Sequence, residues 1–158
     1  MRDVTPKVVL RDVIESDLPI FLAHQLDPQA TSMAAFPARE SDAHFAHWAK
    51  IMSDGTNVLK TILADGQVAG NIVSWDASGQ REVGYWLGRE FWGQGIATRA
   101  LELFLGEVAI RPLYAHVVRH NRASRRVLEK CGFVVIGADG VLHENAAEPV
   151  AEFVLRLD

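Results

Sequence analysis

Cysteine is nearly absent from this chain of 158 residues; Cys131 stands alone. No disulfide can close within the chain, which fits a reducing compartment. Long apolar runs are missing too, and none nears the roughly 18 residues that a membrane-spanning helix needs. Met1–Val13 alternates charged with apolar residues and lacks the apolar centre of a secretory signal. There is no basic block, and the formal net charge is −4. At the level of the whole chain that removes the electrostatic footprint of a nucleic-acid binder. Linkers, low-complexity tracts and internal repeats are lacking as well. These absences lead to the expectation of a soluble cytoplasmic protein, free of membrane and nucleic acid, with one domain over residues 1–158.

What is present reads as a folded mixed α/β protein. Hydrophobic residues make up 49% and charged residues 23%, ordinary for a globular chain. A chain of this length buries about 70% of its unfolded surface and needs no staples. Val8–Ile14 is β-branched and reads as a strand. Ser16 is a candidate helix cap, with Pro19 in the first turn and Leu18, Leu22 and Leu26 at helical spacing. Pro28–Arg39 reads as a loop or short helical turn. Ser41 is a candidate cap for a second helix with Phe45, Trp48, Ala49 and Met52 as its apolar stripe.

A meander follows. Val58–Ala64, Gln67–Trp75 and Arg81–Leu87 read as strands, separated by the turn pairs Asp65-Gly66 and Ser78-Gly79. Gly93-Gln94-Gly95 then opens a helix with Ala97, Leu101, Phe104, Leu105 and Val108 inward, which Pro112 stops. Leu113–Val118 is a strand. Asn121 starts a helix that ends at Gly132. Phe133–Ile136 and Glu152–Arg156 complete the order βααβββαβαββ. Hairpins followed by two βα units predict a mainly antiparallel sheet flanked by helices, not a doubly wound one.

The informative stretch runs from Val83 to Thr98, where a strand passes through a glycine corner into a helix. The first N–H groups of that helix lack internal partners, and its dipole favours negative charge. Gly93 and Gly95 let backbone amides approach a pyrophosphate. A Walker loop is excluded, because no Gly-Lys-Ser/Thr is present. A dinucleotide fingerprint fits poorly, since Thr98 stands at the third glycine and a meander precedes it. By spacing alone, a plain glycine turn before a core helix serves equally well.

Two motifs resemble the GNAT acetyltransferases, and within them the branch that acetylates ribosomal-protein N-termini. One is Gly84-Tyr85-Trp86-Leu87 with Trp92-Gly93-Gln94-Gly95-Ile96-Ala97-Thr98. The other runs from Asn121 through Ser124 to Gly132-Phe133. The resemblance covers nearly the whole chain. It implies a splayed-strand GNAT fold and acetyl-CoA as co-substrate, with no metal. The first motif would hold the pyrophosphate, and the second would lie beside the thiol arm. Trp92 stands where many members have Gln or Arg. Leu128 stands where many carry a catalytic tyrosine, so a tyrosine acid at that position is ruled out.

The resemblance also implies roles. The thioester would lie between Arg81–Leu87 and Leu113–Val118, with the backbone N–H of Leu87, freed by a bulge near Leu87-Gly88, as oxyanion donor. Glu82 is the candidate general base through water, and strand alternation puts it on one face with Gly84 and Trp86. A solvated strand charge, or one paired with Arg81's neighbours across the sheet, is the competing reading. Ser124 would donate a hydrogen bond to the leaving thiolate, or else only satisfy backbone at a helix start. Asn121 would contact the coenzyme, cap its helix, or both. Arg126 and Arg125 are candidates for the 3′-phosphate, or ordinary exposed arginines.

Trp75 and Trp86 would wall the acceptor pocket, though packing is the default for aromatics. Gln29–Arg39 and Asp139–Val150, the latter with Glu144 and Glu148, would shape the acceptor side. His44 and His47 share a helix face but lack a third ligand for zinc. His116 and His120 flank a strand end without an evident site. Cys131 reads as a small buried thiol. The expected activity is acetyl transfer to a primary amine, either a protein α-amine or a small molecule, by a monomer or homodimer. A non-catalytic acetyl-CoA-binding module and a nucleotide-phosphate protein are the alternatives.

Overall fold

A computed structural model describes residues 5–34, 39–141 and 150–158. Seven strands form one sheet: β1 Val8–Asp12, β2 Val58–Ala64, β3 Gln67–Ala77, β4 Gln80–Leu87, β5 Leu113–Val118, β6 Val134–Val141 and β7 Val150–Leu157. Five helices accompany them: α1 Leu18–Leu26, α2 Pro28–Ala34, α3 Ser41–Ser53, α4 Ile96–Glu107 and α5 Arg122–Lys130. Sheet order is β1-β2-β3-β4-β5-β7-β6. Every neighbouring pair is antiparallel except β4 with β5. The mixed, mainly antiparallel sheet expected from the sequence is what forms. Pro28–Arg39 contributes a helix of its own, α2, so one helix is added to the expected order.

Local chemistry explains the meander. Asp65 and Gly66 have φ of 49° and 82°, and Ser78 and Gly79 have 53° and 87°. Two consecutive positive φ values make the tight turns whose twist matches the flanking strands. A bulge between Ile62 and Leu63 in the β2–β3 register interrupts the alternation. It lets both Ala69 and Ile72 reach the same core.

The sheet is covered on both faces. On one, α4 buries Ile96, Ala100, Leu101 and Phe104 against Ile62, Ile72, Val83 and Leu113. On the other, Leu18, Phe21 and Trp48 form a smaller core with Leu59, Val68 and Val73 around it. The inward faces of α1 and α3 differ from those read in the sequence. A spacing of four drifts about 40° per step on a helix of 3.6 residues per turn. Leu26 has thereby rotated out to 52% exposure, while Phe21 points in. On α3, Phe45 is exposed, and His44 and Trp48 are buried.

His44 is inside because both ring nitrogens are satisfied. Its Nε2–H donates to Leu18 O at 2.9 Å, and its Nδ1 accepts from Gln25 Nε2 at 3.0 Å. Burial pushes its pKa down, against the pull of the Leu18 carbonyl, so it stays neutral. Neither expected serine cap is used. Glu40 takes the cap position before α3, and a 3₁₀ turn, Glu15–Asp17, precedes α1. There Asp17 accepts from Ile14 N–H at 3.0 Å. Pro112 does not end α4 either. The helix stops at Glu107 and buries Val108 as its cap, and Arg111 donates to the Val108 carbonyl at 2.7 Å. The last two strands are longer than expected because β7 pairs with β5 on one side and β6 on the other.

Asp17 is a buried charge, 2% exposed. It accepts from both guanidinium nitrogens of Arg11 at 2.8 and 2.9 Å and from the Thr61 hydroxyl at 2.7 Å. Burial by itself would raise its pKa. The bonds from Arg11, Ile14 and Thr61 overcome that, and the net shift is downward. A carboxylate with a lowered folded pKa adds stability that is present above its unfolded value of about 3.9 and is lost as pH falls through the folded value. Asp17→Ala strands the Thr61 hydroxyl and the Ile14 N–H, so it is expected to cost about 2–3 kcal/mol in urea denaturation at neutral pH. The difference from the parent should shrink only below about pH 4.

Candidate active site

β4 and β5 pair only at Arg81–Leu113 and Glu82–Tyr114. Beyond that point each follows its other neighbour: β4 stays in register with β3 through Leu87, and β5 with β7 through Val118. The sheet opens there as a V. The N–H of Gly88 donates to Ala69 O at 2.9 Å, which makes Ala69 and Gly88 a hydrogen-bonded pair. Antiparallel pairs alternate, so Gly70 and Leu87 form a non-hydrogen-bonded one. The Leu87 N–H therefore points away from β3, into the gap. The expected bulge at Leu87-Gly88 is not there, because the β3–β4 register runs through Leu87 without a shift. The divergence of the strands frees the amide instead.

Two cavities of about 460 Å³ each meet at this gap and share Ala34, Tyr85, Trp86, Asn121 and Ser124. The first is lined by Leu87, Trp92, Gly93, Gly95 and the first turn of α4, Ile96 to Thr98, with Arg126 and Lys130 from α5. Gly93 and Gly95 have φ of 72° and 78°, a left-handed backbone that other residues rarely adopt. It turns the chain so that the unpartnered N–H groups of α4 face the cavity. Trp92 donates from Nε1 to Leu87 O at 3.1 Å, which ties the glycine corner to the end of β4. These residues suit a pyrophosphate-bearing coenzyme: backbone donors at a helix N-terminus, with two cations on the facing helix.

The second cavity is lined by Trp75, Glu82, Gly84, Trp86, His116 and Glu152, among others. Trp75 lies across Gly84, where a Cβ would come within 3.3 Å of its ring. Glu82 Oε1 is 3.1 Å from His116 Nε2, and its side chain is only 16% exposed. Glu152 is buried at 3% exposure. On the wall between the cavities, Asn121 caps α5 by accepting from Ser124 N–H at 3.2 Å. The Tyr85 hydroxyl donates to Ser124 Oγ at 3.0 Å.

The site residues read from the sequence thus line the two adjoining cavities, with two differences. Gln94 does not line the cavity; its side chain turns back to Glu90 O at 3.0 Å. Arg125 separates from Arg126, pairing with Glu129 at 3.0 Å and lying over the Phe153 ring at 4.6 Å. Glu82 lines the second cavity as expected, and its contact with His116 on the neighbouring strand is also the cross-sheet pairing of the competing reading. Glu144 and Glu148 lie outside the described residues. Cys131 is partly buried, with burial pushing its thiol pKa up.

Sequence reading missed Tyr85, His116, Lys130 and Glu152 as site residues. The signal for His116 and Glu152 lies in strand register, which no single segment carries. His120 is not idle: its Nε2 lies 2.9 Å from Ser32 O on α2. Among the described residues no three metal-ligating side chains cluster, and no helix is long and apolar enough to cross a membrane.

Fold and site define an acetyl-CoA-dependent N-acetyltransferase. The chain belongs to the GNAT family, since the acetyltransferase (GNAT) domain matches residues 7–134. Among solved structures it resembles spermidine N-acetyltransferase from Vibrio cholerae in complex with CoA and spermine. That match has a TM-score of 0.81 at 16% identity, covering 95% of this chain and 94% of the other. It also resembles RimL, the ribosomal L7/L12 α-N-protein acetyltransferase, bound to coenzyme A, with a TM-score of 0.80 at 19% identity over 99% and 96%. Mycobacterium smegmatis RimJ in complex with CoA-disulfide gives 0.77 at 22% identity over 95% and 81%. At these identities the likeness is one of fold. No curated protein matches the sequence.

Arg126 and Lys130 are the cations that line the first cavity among the described residues. Replacing both by Ala is expected to raise KM for acetyl-CoA about tenfold or more with little change in kcat, as loss of a charge-assisted bond made equally in ground and transition states requires. Arg125→Ala, aimed elsewhere, should leave KM unchanged. Initial-rate kinetics on the two variants checks both statements.

Proposed function

We propose that the protein transfers the acetyl group of acetyl-CoA to a primary amine by direct attack on the thioester. The amine is a protein N-terminal α-amine or a small molecule. The observation that carries this reading is the Glu82–His116 pair at 3.1 Å, which lines the same cavity as Ser124. The amine nitrogen forms its bond to the acetyl carbon and gives up a proton to Glu82, directly or through water, with His116 steadying the carboxylate. Charge building on the carbonyl oxygen is met by the Leu87 N–H. The carbon–sulfur bond then breaks, and the thiolate leaves toward the Ser124 hydroxyl. Full proton transfer from serine is not needed, because a thiol of pKa about 8.5 leaves readily as the anion.

Two features support an amine as acceptor. The acceptor-side cavity carries the carboxylates of Glu82 and Glu152 and is walled by the indoles of Trp75 and Trp86, a setting that favours a cation. An α-amine, with pKa of about 7.7–8, asks less of the base than a lysine near 10.4. The motif around Gly84–Leu87 and Trp92–Thr98 supports a place near the RimJ/RimL branch. The lone cysteine supports a cytoplasmic location, with a monomer or homodimer as the working unit.

Thiol release from acetyl-CoA is the test, against N-terminal peptides, internal-lysine peptides, aminoglycosides and polyamines. Turnover on at least one amine is expected, with Glu82→Gln slower by about a hundredfold or more and its pH profile altered. Acetyl-CoA binding without turnover on any acceptor would favour a non-catalytic binding module. An unchanged Glu82→Gln would remove that residue as the base.

A further inference from the structure

Tyr85 has no part in the mechanism so far, yet it lines both cavities. Its side chain leaves β4 on the face opposite Glu82 and packs against the main core. Its hydroxyl ends 3.0 Å from Ser124 Oγ. Leu128, one turn beyond Ser124 on α5, is 3% exposed and lines the acceptor-side cavity. It fills with hydrocarbon the place beside the thiol arm. Tyr85 is therefore the one phenol that reaches Ser124 among the described residues.

A serine hydroxyl has one proton to give and two lone pairs to receive with. In the observed bond Tyr85 donates, so one lone pair of Ser124 Oγ is taken and the Ser124 proton is left for another acceptor. The Ser124 backbone N–H is already held by Asn121 Oδ1 at 3.2 Å, which fixes the base of the side chain. Burial pushes the Tyr85 pKa up, so the phenol keeps its proton.

We propose that Tyr85 is a positioning residue for thiolate departure, its hydroxyl orienting Ser124 so that the serine's own proton faces the coenzyme sulfur. This rests on the acetyl-transfer reading above. No proton leaves Tyr85. The carbon–sulfur electron pair passes to sulfur, and Ser124 Oγ–H donates a hydrogen bond to the thiolate. Hydrogen-bonded chains polarise one another, so a Ser124 hydroxyl that accepts from a phenol is also the stronger donor.

The test is a double-mutant cycle on kcat for thiol release, with saturating acetyl-CoA and the fastest acceptor of the panel. Tyr85→Phe keeps the ring and removes the hydroxyl. It is expected to lower kcat about tenfold, the size of one oriented hydrogen bond, with KM for acetyl-CoA unchanged. In the Ser124→Ala background the same change should cost nothing more, because the bond it removes is already gone. A merely structural Tyr85 would slow both backgrounds by the same factor, and that result overturns the proposal. A Tyr85→Phe enzyme as fast as the parent beside a slow Ser124→Ala enzyme also overturns it. If Tyr85→Phe fails to fold, 3-fluorotyrosine at position 85 replaces it, with kcat expected to follow phenol acidity only when Ser124 is present. Failure of the acetyl-transfer reading is distinguishable, because it shows in the unmodified enzyme as no thiol release with any amine.

Discussion

β4 and β5 run parallel and hold each other at two register positions, Arg81–Leu113 and Glu82–Tyr114, before parting. Parallel pairs are bridged by a crossover that sits on a sheet face, and here the crossover is the glycine corner with α4. The corner is thus delivered to the mouth of the gap it serves. The same parting leaves the Leu87 amide without a strand partner on that side and lets Glu82, at the point of the V, face His116 from β5. A sheet that stayed zipped along these strands would bury all three features in ordinary ladder bonds.

Several polar groups that are costly to bury are satisfied elsewhere in the structure, whereas the indole Nε1 of Trp86, on the shared wall of the two cavities, has no hydrogen-bond partner among the described residues. His44 joins Leu18 and Gln25, and Asp17 joins Arg11, Ile14 and Thr61. Arg81, 9% exposed at the foot of the V, donates to the Ser74 hydroxyl and the Thr56 carbonyl. The His44 bonds tie α3 to α1 on one face of the sheet. Such networks contribute modestly to net stability but penalise misplacement strongly, which is what a site built from several strands requires.

The fold was legible where the signals are local. Asp65-Gly66 and Ser78-Gly79 mark their turns because only certain residues tolerate positive φ. Leu113–Val118 is a strand in the sequence and in the structure alike. The glycine corner and the start of α5 were legible for the same reason, since Gly93, Gly95 and Asn121 act through their own backbone and cap. The faces of α1 and α3 were not. Phe21 and His44 are chosen by partners distant in sequence, and a buried histidine breaks an apolar stripe without unsettling the helix. The second cavity was half legible: Glu82 and Trp86 follow from alternation along one strand, and Trp75 from its place on the neighbouring one. His116 and Glu152 reach the site only through the pairing of β4 with β5 and of β5 with β7.

α2 supplies Ala30, Met33 and Ala34 to the walls of the gap. It is fastened at both ends to the coenzyme side: Asp27, just before it, pairs with Arg89 at 3.0 Å, and the Ser32 carbonyl meets His120 at 2.9 Å. Arg89 belongs to the segment that leads into the glycine corner, and His120 to the turn that leads into α5. The helix on the cavity wall is thereby tied to the approaches of both the glycine corner and α5, although it belongs to neither motif.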